Sequence, residues 1–90
     1  MAGFVGMVPE EVQSLGQLLA ATVPGEIDGI ISKITGQLGS TQWVGADRQQ
    51  FETDWQGTYV AQLNQVKAAL QEFGNHAMQE AQQQIDASAT

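Results

Sequence analysis

The sequence predicts an all-α protein, an antiparallel helix-turn-helix hairpin. Apolar residues recur every three or four positions in two long stretches, one ending at Leu38 and one beginning at Phe51, as amphipathic helices require. The gap between these stretches is short, and short connections join antiparallel helical neighbours. The predicted elements of this single domain are helix 1 (about 9–38), a turn (39–46), helix 2 (about 47–85) and a flexible tail (86–90).

The composition limits the classes of partner. The chain has 90 residues, of which ten are acidic and three are basic, with a formal net charge of -7. The basic residues Lys33, Arg48 and Lys67 lie far apart and form no patch. Nucleic acids and anionic membrane surfaces attract clustered Lys and Arg, so we expect neither as a partner.

The sequence carries no sign of a disulfide, a membrane span or a secretory leader. It has no cysteine, and no stretch approaches the roughly 20 apolar residues of a transmembrane helix. Residues 1–8 contain no Lys or Arg and only a short apolar run, unlike a cleaved signal peptide. We expect a protein that is made in the cytoplasm and that, if exported, leaves without a cleaved signal peptide.

Helix 1 is predicted to begin near Pro9, because proline is tolerated in a first turn, where its missing N–H would have no partner. Its apolar stripe comprises Val12, Leu15, Leu19, Val23, Ile27, Ile30, Ile34 and Leu38. Pro24 interrupts this stripe, which gives either two helices or one kinked helix. The stripe keeps its phase from Leu19 to Ile27, and this continuity favours the kinked helix. Interior glycines, Gly16 among them, weaken the helix.

Helix 2 is predicted to begin at Asp47, which can cap the helix while Gln50 returns a hydrogen bond. Arg48 and Glu52 are spaced for an exposed ion pair. The apolar stripe comprises Phe51, Trp55, Tyr59, Leu63, Val66, Leu70, Phe73, Ala77, Ala81 and Ile85. Gly74 is a weak point, at which the regular helix either ends or frays.

The two stripes are wider than a lone hairpin can bury. Each spans about half of the helix circumference, whereas paired helices cover a narrower seam. The exposed remainder predicts a homodimer or heterodimer that packs as a four-helix bundle, and the competing interpretation is a monomer that tolerates single exposed apolar residues. The residues predicted at the hairpin and dimer interfaces are Leu15, Leu19, Ile27, Ile30, Ile34, Phe51, Trp55, Tyr59, Leu63, Val66, Leu70 and Phe73.

The ionisable residues form no recognisable active site. Carboxylate pairs such as Glu10 and Glu11 have no neighbouring His, and no nucleophile–base pair is present in the pattern. His76 and Glu80 lie one helical turn apart but make too few ligands for a metal site. We predict no enzymatic activity, no cofactor and no metal.

The turn carries a motif of its own. Trp43-Val44-Gly45 stands between two amphipathic helices, in an acidic, cysteine-free chain, with Phe51 and Trp55 following at helical spacing. In these features nearly the whole chain resembles the W-x-G family of small helical hairpins, the early-secreted-antigen (ESAT-like) substrates of type VII (ESX) secretion systems. The resemblance implies a secreted, dimeric protein that acts through protein–protein contacts. It also implies that Trp43 and Gly45 form an export-signal turn, which is presented to the secretion ATPase.

The resemblance further implies a second part of the export signal, a Tyr-x-x-x-Asp/Glu motif in the C-terminal tail of the partner. Tyr59 is followed four positions later by Leu63 and does not match. The nearest equivalent is His76-x-x-x-Glu80. Either His76 replaces the tyrosine as a planar, hydrogen-bonding side chain, or a partner supplies the tail signal.

An alternative function is a non-secreted adaptor, a chaperone-like helical partner of a larger effector or toxin. Both hypotheses use the same apolar stripes. They differ in whether the W-x-G turn is needed for export.

Overall fold

The structure is a computed structural model that describes residues 6–89, and it confirms the predicted all-α hairpin. Helix 1 consists of the α-helix Pro9–Gln17, the π-helical segment Leu18–Thr22 and the α-helix Val23–Ser40. Helix 2 consists of the α-helix Ala46–Asp54, the π-helical segment Trp55–Tyr59 and the α-helix Val60–Ala89. The two helices run antiparallel, and no strand forms within residues 6–89.

The hairpin is a rod with little interior. It measures 66 × 19 × 18 Å and has a radius of gyration of 19.9 Å, whereas a compact domain of this length has a radius of about 12 Å. Its core consists of Ile27 and Trp55, each 8% exposed, and Ala81 at 0%. Many large apolar side chains among the described residues therefore remain partly exposed to solvent.

Helix 1 passes Pro24 without a break. The backbone N–H of Val23 donates to the carbonyl of Leu18, five residues back, so the π-helical segment ends just before the proline. Proline has no N–H, and its ring crowds the carbonyl four residues back; a local change in hydrogen-bond register accommodates both effects. The alternative of two separate helices is not observed.

The start of helix 2 differs from the prediction. Gly45 occupies the N-cap position, and no side chain caps the helix. The predicted capping pair of Asp47 and Gln50 does not form, because Asp47 lies inside the first turn, two positions after the N-cap; the amide of Gln50 donates to Asp54 at 2.9 Å. The backbone conformation of Gly45, rather than a side-chain cap, begins this helix.

The end of helix 2 also differs from the prediction. The helix continues to Ala89, whereas the sequence predicted a flexible tail from residue 86. The side-chain amide of Gln82 donates to Asp86 at 3.0 Å, a contact one turn apart that supports the last turns. Thr90 lies outside the described residues.

The backbones of the two helices come into close contact where Gly16 faces Gly74. A Cβ atom built on Gly74 would lie 2.6 Å from the carbonyl oxygen of Gly16 and 2.7 Å from the backbone nitrogen of Ala20. A Cβ atom on Gly16 would lie 2.9 Å from the carbonyl oxygen of Gly74. Only glycine permits this backbone approach. The prediction that helix 2 ends or frays at Gly74 is therefore wrong: Gly16 and Gly74 are packing residues, and helix 2 continues through Gly74.

Two polar contacts join the helices nearer to the turn. The indole Nε1 of Trp55 donates to Oγ1 of Thr35 at 3.0 Å, which satisfies the donor of a buried ring. Lys67 of helix 2 forms an ion pair with Asp28 of helix 1. The Asp28 side chain is exposed, so this pair contributes little to stability, but it marks which residues lie opposite each other.

Candidate interaction surface

The turn between the helices presents the W-x-G residues at one end of the rod. Gly45 adopts φ 115° and ψ -174°, a backbone region that is essentially restricted to glycine. Val44 is 93% exposed, and Trp43 also remains accessible. The glycine therefore directs the chain into helix 2 and leaves Trp43 and Val44 at the surface.

Arg48 holds the turn in this conformation. Its Nη1 donates to the carbonyl of Thr41 at 3.1 Å and to the carbonyl of Trp43 at 2.9 Å. Its Nε donates to Oε1 of Glu52 at 2.7 Å, so the predicted ion pair is present and orients the guanidinium. A charged donor thus satisfies two carbonyls of the turn. These backbone contacts were missed from the sequence, because they depend on the path of the turn.

Trp43 packs against Phe51 of helix 2. The ring centroids are 5.3 Å apart and the planes are inclined by 56°, a favourable arrangement for two aromatic rings. Both rings line an apolar groove of about 430 Å³ together with Ile34 and Leu38 of helix 1. The turn and both helices therefore contribute to one open apolar surface at the tip of the rod.

Most of the predicted interface residues lie at the surface of the hairpin. Ile27 and Trp55 are buried, and Leu19, Leu63 and Leu70 are half-buried. The exposed residues, which include Leu18 in addition to the predicted set, are Leu15, Leu18, Ile30, Ile34, Phe51, Tyr59, Val66 and Phe73. We call these eight residues the apolar face.

A second apolar groove lies in the middle of helix 2. Trp55, Tyr59, Leu63 and Val66 line it, and its volume is about 430 Å³. Tyr59, Val66 and Phe73 are spaced seven residues apart, so they lie on one stripe of the helix. Phe73, which is 63% exposed, continues this stripe beyond the groove.

His76 and Glu80 lie on helix 2, far from the turn. The distance between Nε2 of His76 and Oε1 of Glu80 is 3.6 Å, and both side chains are exposed. The helix between Ala46 and His76 is about 45 Å long at about 1.5 Å per residue. Within one chain, the structure does not bring His76 and Glu80 to the W-x-G turn.

The remaining candidate sites are few. Among the residues that the structure describes, no group of three or more His, Cys, Asp or Glu side chains is placed to hold a metal ion. Neither helix, over its described length, has a segment that is both long and apolar enough to cross a membrane. A rigid turn and an apolar face are the features that the hairpin does offer, and both suit contacts with another protein.

Comparison of the chain with protein-family models, with curated proteins and with solved structures found no match.

Proposed function

We propose that this protein is a small substrate of a type VII (ESX) secretion system, which acts by protein–protein interaction and has no enzymatic activity. The turn is the observation that carries the proposal. It is a W-x-G sequence at the tip of a helical hairpin, with its conformation held and its tryptophan accessible. Trp43 and Gly45 form the export-signal turn, and the secretion ATPase is its receptor.

The geometry of the turn suits a recognition element. Binding costs less conformational entropy when the bound segment is already ordered, and Arg48 orders the turn through two of its carbonyls. Trp43 rests on Phe51 and stays 37% exposed, so the ring is positioned without being buried. Tryptophan is among the residues that most often dominate the binding energy of an interface.

The apolar face supports action as a dimer. Its eight exposed apolar side chains are contributed by both helices, and exposed apolar surface of this kind commonly marks a protein–protein interface. Two hairpins packed through this face form a four-helix bundle, which buries side chains that one hairpin leaves exposed.

Replacement of Trp43 tests the export role. Trp43→Ala should abolish appearance of the protein in the culture medium of a host with a type VII secretion system. Its cellular level and its helicity by circular dichroism should stay close to wild type, because Trp43 lies outside both helices. Val44→Ala is the matched control: Val44 is the adjacent, almost fully exposed residue at the variable position of the motif, and its export should be unchanged.

Export of Trp43→Ala at the wild-type level would contradict the proposed signal. If the same experiments showed that Val66→Asp loses a specific co-purifying protein, the adaptor function would be supported instead. Val66 lies on the apolar face and far from the turn, so the two variants separate export from pairing.

A further inference from the structure

We propose that Arg48 is a positioning residue of the export signal: from helix 2 it holds the backbone of the W-x-G turn, and it thereby presents Trp43 in one orientation. The inference rests on the proposed function, because it names a residue outside the motif on which recognition of the same turn depends. Three observations carry it: the contacts of the guanidinium, the place of Arg48 in helix 2, and the order of the Arg48–Glu52 ion pair.

The guanidinium of Arg48 connects the ends of both helices to the motif. Thr41 is the C-cap residue of helix 1, and its carbonyl accepts a hydrogen bond from Nη1 of Arg48. The carbonyl of Trp43 accepts from the same nitrogen. Only 16% of the Arg48 side chain is exposed, so it lies against the turn. Trp43 is therefore held at its backbone by Arg48 and at its ring by Phe51.

Position 48 is unfavourable for a cation as far as helix 2 alone is concerned. Arg48 is the third residue of this helix, where the positive end of the helix dipole favours acidic side chains such as Asp47. The last turn of helix 1 has no basic residue of its own, and there the charge of Arg48 is favourable. A residue that opposes the preference of its own helix is expected to serve another contact, and the turn supplies that contact.

The order of the ion pair leads to the same conclusion. In an isolated helix, an acidic residue four positions before a basic one is more favourable than the reverse order. Arg48 and Glu52 have the reverse order. Exchange of the two residues would suit helix 2 better, but it would leave position 48 without a donor for the carbonyls of the turn. The observed order therefore favours the turn over the helix.

These contacts require arginine and not merely a positive charge. Nε donates to Oε1 of Glu52, whereas Nη1 of the same planar group donates to the two carbonyls of the turn. The donors of a guanidinium have fixed directions, while lysine has a single ammonium nitrogen on a flexible stem. Arg48→Lys keeps the charge but loses this division of donors, so it should not restore the wild-type turn.

Nuclear magnetic resonance tests the positioning of Trp43 independently of export. The chain has two tryptophans, so the spectrum has two indole N–H signals. In Arg48→Gln the Trp43 signal should shift and sharpen toward that of an unstructured tryptophan, because the ring is no longer fixed beside Phe51. The Trp55 signal should stay in place, since its N–H donates to Thr35 of helix 1. A general loss of folding would alter both signals.

Export tests whether this positioning matters for recognition. Arg48→Gln keeps the W-x-G sequence, but its amount in the culture medium should fall by about tenfold, as expected for the loss of one charge-assisted hydrogen bond. Arg48→Lys should resemble it. Lys67→Gln is the matched control, because it removes the same charge and one ion pair elsewhere in the hairpin, and its export should be unchanged.

An exchange variant separates the contacts with the turn from the ion pair. Arg48→Glu combined with Glu52→Arg keeps an ion pair one helical turn apart, in the more favourable order. Its helicity and melting temperature should stay near wild type. Its export and its Trp43 signal should nevertheless change as they do in Arg48→Gln, because position 48 no longer donates to the turn.

Wild-type export of Arg48→Gln or of the exchange variant would overturn this inference, and so would a Trp43 signal that stays in place in both. Failure of the proposed function gives a different result. Normal export of Trp43→Ala would mean that the turn is not the signal at all. Normal export of Arg48→Gln together with loss of export in Trp43→Ala would leave the turn as the signal and exclude only the role of Arg48.

Discussion

The two helices are held together by different contacts at the two ends of the rod, the turn and the open end where the helices begin and finish. At the turn, Arg48 satisfies two backbone carbonyls and Gly45 directs the chain, and the aromatic rings stay accessible. At the open end, Gly16 and Gly74 bring the helix backbones into contact. The turn leaves aromatic side chains exposed at the surface, whereas the open end brings the backbones of the two helices into contact. The proposed recognition element and the closely packed helix backbones therefore lie toward opposite ends of one hairpin.

The largest expected effect is at the open end. Gly74→Ala should lower the free energy of unfolding by about 3 kcal/mol, because the new methyl group meets two backbone atoms that cannot move aside. The melting temperature at fixed protein concentration should fall by at least about 10 °C. Gly36→Ala is the control: its Cβ meets open space, and alanine is the better helix former, so stability should rise by up to about 1 kcal/mol. Equal melting of the two variants would show that the helices do not touch at Gly74.

An intermediate effect is expected at the turn. Gly45→Ala should cost about 2 kcal/mol in the free energy of unfolding and should reduce export, because alanine is strained at this backbone conformation although space is open around it. Gly39→Ala, a few residues earlier and with negative φ, should leave export and stability near wild type or slightly improve stability. Thermal melts and culture-medium blots check both readouts. If Gly45→Ala behaved like Gly39→Ala, the turn would not depend on glycine.

The smallest expected effect is at His76. His76→Ala should change the free energy of unfolding by less than about 0.5 kcal/mol, since its contact with Glu80 is exposed and long. Export should also be unchanged if the turn acts as the signal by itself, because His76 lies about 45 Å along helix 2 from Ala46. Loss of export would show instead that His76 acts as the tail signal.

The hairpin and much of the turn were predictable from the sequence. Local signals sufficed there, because apolar spacing specifies a helix and its face, and a short gap brings two helices back together. The same signals placed Trp43 and Gly45 in the turn between the helices. They also predicted the Arg48–Glu52 ion pair, which spans one turn of a single helix. The same signals wrongly predicted that Asp47 caps helix 2 and that the chain is flexible from residue 86. Alternative caps and helix ends differ little in energy, so local sequence alone does not select among them.

The remaining features needed the tertiary structure. From the sequence, a glycine inside a helix predicts only lower helix stability. The structure shows that at Gly16 and Gly74 the backbone of the other helix occupies the space that a Cβ atom would need. The π-helical segment before Pro24 was likewise not predicted, because the sequence left open whether the proline breaks or kinks the helix. The sequence by itself determined two amphipathic helices and the point where the chain reverses, because these depend on neighbours in the chain. Only the tertiary structure decided which apolar residues are buried and which remain available to a partner, because that depends on how closely two backbones approach.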